Sequence, residues 1–129
     1  MLIIAIRTDK PEAEIGLYDG NKKLANEKWQ AHRQLAETLH SKLSELLQSA
    51  GKDWADVKGI VVYKGPGSFT GLRIGISVAN TLAYSLKVPV IGASGDWIEE
   101  GTAKLLTGAA GTIVLPEYGG EIKITPPAK

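Results

Sequence analysis

The segment Lys64-Gly65-Pro66-Gly67-Ser68-Phe69-Thr70-Gly71-Leu72-Arg73-Ile74-Gly75 constrains this chain more than any other. It follows an apolar run, Gly59-Ile60-Val61-Val62-Tyr63, that reads as a strand, and it opens a run from Leu72 to Lys87 that reads as a helix. Gly65, Gly67 and Gly71 with Pro66 make a tight turn whose backbone another molecule can approach closely. The free N–H groups at the start of the following helix are a ready site for an anion.

The rest of the chain bounds the fold and the chemistry. Its 129 residues suffice for one domain with a real core. Lys+Arg 15 against Asp+Glu 14 leaves a net charge of +1, so no general basic field holds nucleic acid. The absence of cysteine excludes disulfides, thiolate catalysis and Cys-ligated metals. Met1 to Arg7 is a short apolar run with no basic region before it, and it reads as a strand, not a signal peptide. No stretch reaches the ~18 apolar residues of a membrane helix. A soluble cytoplasmic protein is the expectation.

The periodicity predicts an order of elements. Leu2 to Ile6 reads as a buried strand, Glu14 to Tyr18 as an alternating one. Asp19-Gly20-Asn21 is a hairpin turn, with Lys22 to Trp29 as the returning strand. From His32 to Ala50 the period is helical, with Leu35, Leu39, Leu43, Leu46, Leu47 and Ala50 on one stripe and Gly51 as the stop. Strands over Val57 to Tyr63 and Val88 to Gly92 flank the second helix. A third helix spans Asp96 to Leu106, capped by Ser94 or Asp96. Thr112 to Leu115 reads as one more strand, and Glu121 to Lys129 as a tail containing Pro126-Pro127. Three meandering strands followed by alternating helices and strands predict an α/β fold, a mixed sheet with helices on its faces. That order fits the ribonuclease H-like half-domain of the actin-like ATPases.

The second helix is too apolar for a surface helix. Leu72, Ile76, Ala79, Ala83 and Leu86 form one stripe; Ile74, Val78 and Leu82 form another beside it. Together they cover roughly 200°, about twice what packing on one sheet requires. In a chain of this size the excess predicts contact with a partner subunit. The first helix, with its single stripe, is expected to pack on the sheet and lend its edge to that interface.

Gly65 to Gly75 is similar to the signature of the TsaB (YeaZ) family, bacterial proteins that take part in making threonylcarbamoyladenosine in tRNA. The likeness continues weakly through Leu86 to Gly92 and covers roughly residues 1–95. It implies a non-catalytic scaffold with a degenerate actin-like ATPase (ASKHA) fold, no cofactor and no catalytic residue. Such a protein binds and stabilises a catalytic TsaD-type subunit, or pairs with itself, through its first two helices. A TsaE-type ATPase joins the complex, and tRNA is met only through it. Carried over by position, the implied interface comprises Leu35, Leu39, Leu72, Arg73, Ile76, Ala79, Asn80 and Ala83. The signature turn, Gly65, Pro66, Gly67, Ser68, Phe69, Thr70 and Gly71, is a vestigial anion site at most. Residues 1–95 would be the family's N-terminal domain, and residues 96–129 a helix, strand and tail in place of its second domain.

Two departures bear on this reading. The family's first strand runs into Asp-Thr-Ser, whereas this chain has Arg7-Thr8-Asp9, and an arginine cannot ligate a metal. The chain is also near half the family's length, so it forms at most half of an interdomain cleft. Both weaken the alternative of a small nucleotide-binding ATPase-type enzyme completed by dimerisation. His32 and His40, eight residues apart, would lie ~12 Å from each other on a helix, too far to share a metal. Ser68 and Thr70 have no histidine base near them in sequence and read as caps of the second helix.

Overall fold

In a computed structural model of the chain, residues 1–31, 35–67, 69–108 and 114 are described. Strands β1 (Leu2–Arg7), β2 (Glu12–Asp19) and β3 (Lys22–Gln30) form an antiparallel meander. Gly20, at φ 64°, takes the left-handed position that the two-residue β2–β3 turn needs. Helix α1 (Leu35–Ser49) follows, closed by Gly51 at φ 69° with the Lys52 N–H donating to the Leu47 carbonyl at 2.8 Å. Then come β4 (Val57–Tyr63), α2 (Phe69–Leu86), β5 (Val90–Ala93) and α3 (Trp97–Leu106).

Among the described residues the strands form one sheet in the order β3-β2-β1-β4-β5, with β4 parallel to β1 and β5 parallel to β4. The expected mixed sheet with helices on its faces is therefore present. β1 and β4 are buried at almost every position, as strands covered on both faces must be. Gly59, Val61 and Tyr63 of β4 face α3: Leu105 packs over Gly59, Val61 against Gly101, and Tyr63 meets Trp97 edge to face at 6.3 Å. Strand alternation turns Ile60 and Val62 to the other face, where α2 packs on β4, β1 and β5. α1 packs on α2 and reaches β2 and β3.

α3 contributes Trp97 and Leu105 to the same core as the sheet and the first two helices, and Val114 joins it. Residue 96 is thus not a break in packing. The helix starts at Trp97 with Asp96 in the N-cap position, and the Asp96 carboxylate makes no hydrogen bond to the first turn. A short turn that the periodicity did not reveal, Trp54–Asp56, carries a capping box made by Asp53 and Asp56. Its signal was the Asp-x-x-Asp spacing. The expected strand Thr112–Leu115 and the tail lie outside the described residues, Val114 excepted.

Candidate protein interface

β4 delivers the chain to the glycine-rich turn, and Gly65 at φ 117° adopts a backbone conformation that side chains disfavour. The turn is tied on both sides. The Tyr63 hydroxyl donates to the Pro66 carbonyl at 2.7 Å, and Ser94 Oγ donates to the Gly65 carbonyl. α2 begins at Phe69, three residues earlier than its apolar period, so Phe69, Thr70 and Gly71 belong to the helix.

The other glycines are spaces for the chain's own β1–β2 connection. A Cβ on Gly67 would stand 2.7 Å from Asp9 Cβ, one on Gly71 2.5 Å from the Thr8 carbonyl oxygen, and one on Gly75 2.0 Å from Thr8 Oγ1. Thr8, 2 % exposed, donates from Oγ1 to the Gly71 carbonyl at 2.7 Å. The molecule that approaches these glycines is thus the protein itself.

Electrostatics turn the same corner against an anion. The Asp9 carboxylate borders Gly67, with Oδ2 3.2 Å from where a Cβ would sit, so an anion there would meet a like charge. The neighbouring cation is engaged: Arg7 Nε and Nη2 donate to Asp9 at 2.7 and 3.2 Å, and the guanidinium lies 3.9 Å from the Tyr63 ring centroid. Hydrogen bonding to Asp9 raises the Arg7 pKa despite partial burial, and the group stays charged. Among the described residues no three His, Asp or Glu side chains stand close enough to hold a metal ion.

The structure divides the residues expected at the interface. Leu35, Leu39, Leu72, Ile76, Ala79 and Ala83 are buried within the chain's own core, where fully or nearly fully covered side chains have no area left for a partner. Arg73 is exposed on α2. Asn80 is half-buried and bonded within the chain to Val114, its amide exchanging two hydrogen bonds of 2.9 Å with the Val114 main chain. The sequence offered a hint of this: asparagine is a poor residue for a helix interior unless its side chain has a partner.

Apart from Arg73, the outward face of α2 is made of residues outside the expected interface set. Thr70, Arg73, Ser77, Thr81, Tyr84 and Ser85 are exposed, with Ile74, Val78 and Leu82 half-buried beside them. Tyr84 is 87 % exposed. With Ala36 of α1, residues Thr70, Arg73, Ile74, Ser77 and Val78 line a shallow groove of about 420 Å³. Of the two apolar stripes of α2, Leu72, Ile76, Ala79 and Ala83 of the first enter the core, and Ile74 and Val78 of the second border this groove. His40 of α1 stacks on Trp54, ring centroids 5.4 Å apart; His32 and Ser68 lie outside the described residues.

Residues 28–95 match the family model of TsaD, tRNA N6-adenosine threonylcarbamoyltransferase. The chain is similar to the tRNA threonylcarbamoyladenosine biosynthesis protein TsaB of Escherichia coli, 31% identical over 118 residues that cover 82% of this chain and 48% of that protein. It is 44% identical over 64 residues to the tRNA N6-adenosine threonylcarbamoyltransferase of Geotalea uraniireducens, covering 50% of this chain and 19% of that one. In structure it resembles YeaZ from Pseudomonas aeruginosa, with a TM-score of 0.65 and 31% identity over 72% of this chain and 43% of YeaZ. Thermus thermophilus RuvC shares the fold, TM-score 0.52 over 94% of this chain and 83% of RuvC at 15% identity. The chain spans less than half the length of the TsaB and YeaZ proteins it matches. It belongs to the family that the TsaD model describes, and within that family it is a TsaB (YeaZ) member with the ribonuclease H-like, actin-like ATPase fold.

Proposed function

We propose that this chain is a non-catalytic subunit of the machinery that makes threonylcarbamoyladenosine in tRNA, and that it binds and stabilises a TsaD-type catalytic partner. One observation carries the reading: the exposed face of an 18-residue helix holds a single charge, Arg73, among hydroxyl-bearing side chains flanked by half-buried apolar ones. A helix face meant for water is rich in charge, whereas interface centres are depleted of it and enriched in tyrosine and arginine. The binding surface in this reading is the α1–α2 groove with Ile74, Ser77, Val78 and Tyr84. Arg73 is kept from the family's implied interface set, whose buried members support the helix from within. A second copy of the chain uses the same surface when the partner is absent, a TsaE-type ATPase joins through the complex, and tRNA is met only there.

The test is association with the TsaD-type protein of the same organism, measured by co-purification and by calorimetry. Ser77→Arg and Ile74→Asp should abolish binding while circular dichroism stays that of the parent chain. Unchanged binding by both variants would refute the assignment of this face. A tRNA-modification assay with and without the chain then reads the role, and modification that proceeds equally well without it would refute the stabilising function. ATP or ADP binding to the isolated chain at micromolar levels would favour the enzyme alternative instead.

A further inference from the structure

The Asn80 amide and the Val114 main chain exchange a pair of hydrogen bonds. Asn80 Nδ2 donates to the Val114 carbonyl and Oδ1 accepts the Val114 N–H, both at 2.9 Å. This is the pairing a peptide group makes in a sheet, supplied here by a side chain in the middle of a helix. Such an amide reads any backbone, so it gives attachment without choosing a residue.

Selection comes from β5. Gly92 pairs with Val62, which places it on the α2 side of the sheet, and a Cβ there would stand 2.5 Å from Val114 Cγ1. The missing side chain of Gly92 is thus the space that the valine fills, and Val114 is only 7 % exposed. α3 packs on the opposite face, against Gly59 and Val61. Val114 therefore lies on the α2 face of the sheet, opposite the face that α3 covers.

We propose that Asn80 and Gly92 form a docking site for a main-chain segment bearing a valine-sized side chain, filled in cis by Val114. The site straps the chain beyond α3 onto the helix that carries the partner-facing groove. It stands on three separate observations, the paired hydrogen bonds, the burial of Val114 and the gap at Gly92, and none depends on the function proposed above.

Residue-resolved amide hydrogen exchange by NMR on the full 129-residue chain tests it. In the parent chain the Val114 amide should be protected. Asn80→Ala should speed its exchange by about tenfold or more, the effect of losing hydrogen bonds of ordinary strength, while Ile4 and Ile6 of β1 keep their protection. Gly92→Ala, which fills the gap from below, should release Val114 in the same direction with the amide partner intact. A Val114 amide that exchanges at the unprotected rate in the parent chain would overturn the proposal. So would a rate that neither substitution changes. The parent measurement decides even if a variant fails to fold.

Discussion

α1 and α2 lie side by side on the sheet, yet the domain accounts for one far better than for the other. α1 buries a single leucine stripe, Leu35, Leu39, Leu43, Leu46 and Leu47, and exposes Glu37, His40, Ser41, Glu45 and Gln48. That is the composition a helix needs when one face meets a sheet and the other meets water. α2 buries an equal stripe but exposes a face with one charge and a tyrosine. Its C-terminal half also holds Val114 through Asn80. Both helices seat a stripe in the core, and what sets α2 apart is the chemistry of its solvent side.

The largest expected effect tests the shared part of the comparison. Leu39 and Leu72 are both fully buried, so Leu39→Ala and Leu72→Ala should each cost about 2–5 kcal/mol in urea unfolding. A much smaller loss for Leu72 would mean that α2 is not seated in the core as described.

Next in size is a substitution that only α2 should feel. Gly75→Ala brings a Cβ to within 2.0 Å of Thr8 Oγ1, so it should destabilise the chain by about 1–3 kcal/mol although alanine favours helices. Thr8→Ala in the same chain should recover part of that loss. A stabilising Gly75→Ala would show that the β1–β2 connection does not press on the helix.

The outward faces are compared directly with one pair of substitutions. Ser41 of α1 and Ser77 of α2 are both exposed, and arginine at either should change stability by no more than about 0.5 kcal/mol. Association with the TsaD-type partner should fall by at least about tenfold for Ser77→Arg and stay within about twofold for Ser41→Arg. Equal losses would erase the distinction drawn between the faces.

The smallest effect belongs to α1. Lys42 bridges to Glu27 at 2.8 Å and lies 5.7 Å from the Trp29 ring, in a partly exposed setting. The hydrogen bond to Glu27 raises the Lys42 pKa. Lys42→Ala should lower stability only slightly, with the loss shrinking in high salt. A larger loss would make the α1–β3 contact more than a solvated pair.

Much of this was legible in the chain itself. The apolar runs of β1 and β4, the Asp19-Gly20-Asn21 turn and the leucine stripe of α1 are local patterns, and each marks its element. The two stripes of α2 were legible too, as was the excess of apolar surface they create. Which residues would remain available to a partner was not. Ile76 and Ile74 are the same residue type two positions apart, and only the direction of the sheet decides that Ile76 is covered and Ile74 is half-open.

The sequence by itself determined that the chain has a strand, a glycine-rich turn and an apolar helix in succession, because turn chemistry and periodicity act over a few residues. It also carried the family signature. The tertiary structure alone decided what those glycines accommodate: Thr8 and Asp9, some sixty residues earlier, fill the volumes above Gly67, Gly71 and Gly75. It likewise paired Asn80 with Val114. A missing side chain announces only that something comes close. What comes close depends on which strand the fold places next to it.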